Sequence, residues 1–269
     1  MTSVANMSGM LHPPSALARV IVALRTYFDE SGTHWSGPMA CDVFVLCGYV
    51  GTESLWDDRT PSSFWSRWDD VMHGKPFHAT EMESNPQGPE VKTALANLVR
   101  KSGVIGVGGG IHIPSYDRLL VPYIEKLKQK NNPYLFLFAD VIAQAVHTSQ
   151  MFLGESQDEP IGFVFANHPI WSIEAHEFYD ELKNDPETPD DVRRRMGAIA
   201  FEDMEKFIPL QAADHLAFES YHYMNDPPGG SRPAMNLFMD WHQNHGSYYN
   251  ERVLNEYIKL MRRAGVFHD

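Results

Sequence analysis

Two short apolar segments open the patterned part of the chain, and helical and apolar segments alternate after them. Residues 20–28 and 42–50 are rich in β-branched and aromatic side chains, and a loop with Gly and Pro separates them, which predicts an antiparallel hairpin. Further apolar runs at residues 103–113, 161–166 and 196–201 predict three more strands. Helical segments separate the later strands, so these are expected to pair in parallel. The order predicts an α/β fold with one mixed sheet.

The helical segments do not mark a second domain. Apolar residues recur at helical spacing in six stretches, at residues 54–73, 89–101, 133–150, 169–183, 209–224 and 251–264. The polar stretches 74–81 and 184–195 predict loops, and residues 1–18, which contain several Met, Ser and Pro, predict a flexible lead. We expect residues 19–269 to form a single domain with a C-terminal helical extension.

Charge and cysteine content limit the functional classes. Lys plus Arg is 22 and Asp plus Glu is 35, so the net charge is −13, which disfavours non-specific nucleic-acid binding over the whole surface and leaves room for a local site.

No stretch approaches the roughly 18 uncharged apolar residues of a membrane span, and Arg19 interrupts the first apolar run, so neither a span nor a signal peptide is expected. Cys41 and Cys47 would lie roughly 20 Å apart on one strand, too far for a disulfide. The sequence therefore predicts a cytoplasmic protein, and it does not indicate an oligomeric state.

The first candidate site is Asp29-Glu30-Ser31-Gly32, directly after the first predicted strand. Functional groups in α/β proteins commonly follow strand ends. If the strand continues, only one of the two acidic residues faces a given site, whereas a turn would let both converge. The alternative interpretation is a plain turn, for which these residue types are well suited.

The second and third candidate sites lie later in the chain and in a predicted loop. Gln211 and Asp214 are three residues apart and share one face of a predicted helix beside an apolar stripe. A buried Asp there must be paired, capped or metal-bound, and the alternative is an Asp at the solvent edge. His78 and Glu81 suit metal ligation or proton transfer, and the alternative is ordinary surface.

In combination, these motifs resemble an uncharacterised bacterial family, domain-of-unknown-function family 3800. That family is marked by an Asp-Glu near its start and a Gln-x-x-Asp near its end. Asp29-Glu30 and Gln211-x-x-Asp214 match these marks, and the loop with His78 and Glu81 is similar to the family's middle region. The resemblance spans roughly residues 25 to 225 and depends on the order and spacing of short motifs.

The resemblance implies a ribonuclease-H-like fold, with helices on both faces of a sheet whose opening strands are antiparallel. It also implies that Asp29 and Asp214 meet above the sheet and hold a divalent metal. Carboxylates suit Mg²⁺ or Mn²⁺, which can activate water and stabilise charge on a phosphodiester. Gln211 would orient Asp214 or contact substrate, and Glu30 is a candidate for a further ligand or catalytic group.

The substrate-binding candidates are His78, Glu81 and Asn167. Glu81 and Asp203 are also candidates for a further metal ligand. Asn167 is a departure, because ribonuclease-H-like nucleases commonly carry a carboxylate at the end of the fourth strand. A neutral amide coordinates a dication more weakly than a carboxylate.

Two functional hypotheses follow. The leading one is a metal-dependent phosphodiesterase or nuclease that acts on nucleic acid at a local site, with a hydrolase for a smaller phosphoester as a variant. The alternative is a non-catalytic binding or interaction module on the same scaffold, in mobile-element or phage-defence biology. Clustered carboxylates favour the enzyme, and carboxylates that are dispersed or paired with Arg favour the module.

Overall fold

One mixed sheet organises the chain. The computed structural model describes residues 24–33, 41–57, 60, 62–126, 131–153, 159–226 and 232–267. Within these residues the strands are β1 (Leu24–Ser31), β2 (Val43–Thr52), β3 (Ile105–His112), β4 (Ile161–Ala166), β5 (Met196–Glu202) and β6 (Asn244–Tyr249). They form a six-stranded sheet in the order β5-β4-β1-β2-β3-β6. The predicted α/β class with a mixed sheet is confirmed.

The pairing of the strands follows the pattern expected from the connections. β1 pairs with β2, and β2 with β3, in antiparallel orientation. β1 with β4, β4 with β5, and β3 with β6 are parallel pairs. β1 therefore lies inside the sheet, with the hairpin partner on one side and a strand more than a hundred residues later on the other.

Helices cover both faces of the sheet. Among the described residues they are α1 (Glu53–Asp57), α2 (Phe64–Met72), α3 (Ala79–Ser84), α4 (Gly88–Arg100), α5 (Ile113–Leu119), α6 (Val121–Lys126), α7 (Pro133–Leu153), α8 (Ser172–Asn184), α9 (Asp190–Arg195), α10 (Ile208–Asn225), α11 (Pro233–Met239) and α12 (Glu251–Arg263). A 3₁₀ turn, Met204–Lys206, precedes α10. None of these helices combines the length and apolar character that crossing a bilayer requires.

Alternation along the strands divides the core into two layers. Tyr27 of β1 packs in the layer that contains α1, α2, α4, α10 and α11. Phe28, the next residue, packs in the opposite layer with α5, α7, α8 and α12. β2 likewise contributes to both layers, which explains why its sequence is an almost continuous apolar run rather than an alternating one.

The Gly-rich strand β3 is closely approached by helices on both sides. A Cβ at Gly109 would lie 3.0 Å from a methyl group of Leu137 on α7, and one at Gly110 would lie 2.5 Å from the sulfur of Met224 on α10. Glycine at these positions therefore lets both helices pack against the strand.

Several local predictions are corrected. β1 continues through Ser31, paired with Val45 of β2, so Asp29 and Glu30 belong to the strand and not to a turn. The single helix predicted over residues 54–73 is two helices, the second beginning after Ser63, whose hydroxyl caps α2 by accepting a bond from the Ser66 amide. The predicted loops at 74–81 and 184–195 contain the start of α3 and the whole of α9. The predicted lead at residues 1–18 lies outside the described residues.

Candidate active site

A cavity of about 830 Å³ opens where the central strands end. β1, β4 and β5 run in the same direction, so the residues that follow them meet at one edge of the sheet. The wall is completed by His78 and Thr80 and by one face of α10. The lining residues are Asp29, Glu30, Ser31, Gly32, Thr33, Cys41, His78, Thr80, Ala166, Asn167, Asp203, Met204, Glu205, Lys206, Asp214, Phe218 and Tyr221.

Asp29 and Glu30 reach this cavity from opposite faces of β1. The strand alternation directs Asp29 to the layer that contains α10 and Glu30 to the layer that contains α7. Both nevertheless line the cavity, because it lies at the strand's end and is open to both faces. Neither of the two expectations from the sequence is fully met, since the strand persists and both carboxylates still converge.

Asp214 is brought to the same cavity by α10. Its carboxylate is buried, and Oδ2 accepts a hydrogen bond of 2.7 Å from the backbone amide of Ala79, the first residue of α3. This bond fixes one carboxylate oxygen and fastens the 77–79 segment to α10. The residues predicted at positions 29 and 214 thus lie in one site, although 185 positions separate them along the chain (214 − 29).

The three carboxylates are desolvated and repel one another. Burial, and then the charges of Glu30 and Asp214, raise the pKa of Asp29 well above its ordinary value. Burial raises the pKa of Glu30 to about 8 and that of Asp214 to about 6, the latter opposed by the Ala79 amide and by His78. No salt bridge between described residues involves any of the three. At neutral pH the cluster therefore favours the uptake of protons or of a cation.

The chemistry of the donors fits a hard divalent cation. Glu30 Oε2 is buried and has no hydrogen-bond partner, and carboxylate oxygens are the ligands that Mg²⁺ and Mn²⁺ prefer. Among the described residues, no group of three or more His, Cys, Asp or Glu side chains is arranged to hold a metal ion unaided. This is compatible with Mg²⁺, which is commonly bound by one or two carboxylates together with water and substrate phosphate.

Gln211 lies next to the cavity but does not line it. Its Oε1 accepts hydrogen bonds from the Trp68 indole at 3.3 Å and from the Phe77 amide at 3.0 Å. Its Nε2 donates to the carbonyl of Glu205 at 3.1 Å. The amide therefore joins the segments that carry Phe77 and Glu205 to α10, one turn before Asp214.

The remaining predicted residues are divided between the cavity and the surface. His78 lines the cavity, with a buried Nδ1 that has no hydrogen-bond partner. Asn167 is exposed at the rim, and its backbone amide donates to the carbonyl of Glu202 at 2.8 Å. Glu81 is exposed on α3 and does not contribute to the lining.

The lining residues that were not identified as site residues from the sequence include Cys41, Lys206, Phe218 and Tyr221. Lys206 forms a 2.8 Å ion pair with Asp203 at the rim. Phe218 and Tyr221 follow Asp214 at positions i+4 and i+7, which share one helix face. That spacing is the sequence signal that places them on the same side of the helix as the carboxylate.

Comparisons of the chain with models of known protein families and with curated proteins find no match.

Proposed function

We propose that this chain is a Mg²⁺- or Mn²⁺-dependent phosphodiesterase that acts on nucleic acid, with the ribonuclease-H-like scaffold implied by the resemblance to domain-of-unknown-function family 3800. The observation that carries the proposal is the cluster of buried Asp29, buried Asp214 and half-buried Glu30, which forms no salt bridge among the described residues and opens onto a cavity of about 830 Å³. The mixed sheet with antiparallel opening strands and helices on both faces supports the proposed scaffold.

The chain's own residues have separable tasks in this proposal. Asp29 and Asp214 would hold the ion, which when bound supplies charge stabilisation at a phosphodiester and lowers the pKa of water. The Ala79 amide holds one oxygen of Asp214, which leaves the other for a cation. His78 and Asn167 line the cavity where a substrate phosphate would contact them. Gln211 keeps the segments that carry these groups in register.

Calorimetric titration with Mn²⁺ and Mg²⁺ tests the metal site. We expect wild type to bind, and Asp29→Asn and Asp214→Asn each to weaken binding at least tenfold while the far-ultraviolet circular dichroism is unchanged. Asp140→Asn is the matched control, because Asp140 is a half-buried acid with a raised pKa that does not line the cavity. Wild-type affinity in both site variants, or no binding in wild type with and without an oligonucleotide, would overturn the proposal.

One observation favours a second candidate, the non-catalytic binding module. Asn167 follows β4 at the position where the resemblance leads one to expect a carboxylate, so the cluster has a neutral group on that side. A wild-type protein that binds Mn²⁺ and oligonucleotide but leaves single- and double-stranded substrates intact would favour the module over the enzyme.

A further inference from the structure

One face of α10 connects the carboxylate cluster to an aromatic wall. Asp214, Phe218 and Tyr221 are four and three residues apart and all line the same cavity. At about 1.5 Å of rise per residue, Phe218 lies about 6 Å and Tyr221 about 10 Å along the helix from Asp214. A group that occupies the cavity beside the carboxylates therefore meets aromatic side chains within a short distance.

Tyr221 is held in place by its neighbours. Its hydroxyl donates a hydrogen bond of 3.2 Å to Sγ of Cys41. On another side the ring packs against Gly32, where a Cβ would lie 2.9 Å from two ring carbons. The side chain remains half-buried and lines the cavity. Its aromatic surface is therefore preorganised, which lowers the entropy lost when a flat ligand stacks on it.

Phe218 makes a different contribution. It is 7% exposed, and Lys92 and Arg232 lie 5.2 Å and 5.6 Å from its ring centroid, so cation–π contacts occupy its ring. Phe218 therefore extends the apolar wall, and Tyr221 supplies the accessible ring.

Lys and Arg side chains contribute little attraction for phosphates in this cavity. Lys206 is the one Lys or Arg side chain among its described lining residues, and it is paired with Asp203. The chain as a whole carries a net charge of −13. Besides any contribution from a bound cation, a nucleic acid that enters the cavity can gain affinity through its bases, for which stacking on aromatic side chains is the sequence-tolerant means.

We infer that Tyr221, supported by Phe218, is a nucleobase-binding wall, and that the ligand of the cavity is an unpaired nucleic-acid strand. This inference rests on the proposed function for its substrate class. A base in a duplex is stacked between its neighbours and cannot present its face to a side chain in a cavity, whereas an unpaired base can.

The test compares two labelled 12-nucleotide single strands by fluorescence anisotropy, one with thymine bases and one with abasic sugars, with Ca²⁺ in place of Mg²⁺. We expect wild type to prefer the base-bearing strand by about tenfold or more. Tyr221→Leu should lose that preference, and Tyr221→Phe, which keeps the ring, should retain it. Tyr223→Leu is the matched control, because Tyr223 lies on the same helix, is 55% exposed and does not line the cavity.

The outcomes separate this inference from the proposed function. Any of four results would overturn the base wall. These are equal affinity of wild type for both strands, absence of binding, a preference that survives in Tyr221→Leu, and a preference for duplex of the same length. Mn²⁺ affinity of Tyr221→Leu, measured in parallel, should equal that of wild type. If wild type binds no Mn²⁺ but shows base preference through Tyr221, the phosphodiesterase proposal fails while the base wall stands.

Discussion

Substitution of Gln211 by Met removes a set of buried hydrogen bonds while it keeps the side chain's length and approximate volume. The amide oxygen accepts from the indole of Trp68 and from the backbone amide of Phe77, both in fully buried residues. The amide nitrogen donates to the carbonyl of Glu205, which belongs to an exposed residue. The thioether of Met can replace none of these bonds effectively.

The loss in stability follows from the two donors that are left without an acceptor. Each unsatisfied buried polar group costs about 1–3 kcal/mol, so the free energy of unfolding should fall by about 2–6 kcal/mol. The Glu205 carbonyl can turn to water and is expected to add little. Since domains are stable by about 5–15 kcal/mol in total, the variant should be visibly destabilised.

Urea unfolding at pH 7, followed by circular dichroism, measures this loss. Gln243→Met is the control, because its Oε1 also accepts an indole bond, 3.2 Å from Trp241, but at a half-buried position. We expect the free energy of unfolding of the control variant to fall by less than about 1 kcal/mol. A loss below about 1 kcal/mol in Gln211→Met, or equal losses in both variants, would refute the stabilising role given to the bonds of Gln211 with Trp68 and Phe77.

Three further predictions concern backbone, charge and pH. In urea unfolding, Gly32→Ala should lower the free energy of unfolding by about 2 kcal/mol more than Gly74→Ala does. Both glycines have φ near 80°, but a Cβ at Gly32 would lie 2.2 Å from a backbone oxygen, and one at Gly74 would have nothing within 4 Å. Equal losses would contradict this reasoning. Burial raises the pKa of Glu30 to about 8, so its carboxylate destabilises the fold increasingly as the pH rises from about 4.5 to 8. Without divalent ions at pH 8, Glu30→Gln should therefore unfold at a higher urea concentration than wild type. The difference should be smaller at pH 5. Burial alone would raise the pKa of Glu219, but bonds from Arg232 hold that pKa below its ordinary value. Arg232→Gln should therefore be less stable than wild type at pH 7, and the difference should decline as the pH falls below about 4. A difference in stability that does not depend on pH would argue against the pair.

The sequence predicts those parts of the fold that depend on local patterns. β1 to β4 were identifiable because their apolar runs are mostly buried on both faces. β5 is a mostly half-buried edge strand, and its short apolar run, residues 198–201, was enough to indicate it. β6 was missed because it is an edge strand of polar, half-buried residues, Asn244–Tyr249, whose pairing with β3 decides its conformation. The 184–195 stretch was assigned to a loop because α9 is one short, mostly charged turn of helix that a local pattern does not reveal.

The candidate site was likewise predictable only where local motifs indicate it. Asp29 and Asp214 were selected by motif, and their common cavity depends on the packing of α10 against β1, a contact between distant parts of the chain. The contribution of Tyr221 depends on Gly32 and Cys41, which only the folded chain brings to it. The role of Gln211 could not be predicted, since its partners are backbone groups and an indole from other segments.

The place of β1 inside the sheet has a consequence for the order of events during synthesis. β1 can pair with β2 as soon as the hairpin leaves the ribosome. Its other edge stays unpaired until β4 is synthesised, and Asp29 cannot meet Asp214 until α10 is synthesised. At about 5–20 residues per second, the 185 positions between the two carboxylates take roughly 10–40 s to translate. For that interval the nascent chain has Asp29 and Glu30 but not Asp214, so incomplete translation products carry the motif at residues 29–32 without the rest of the cavity.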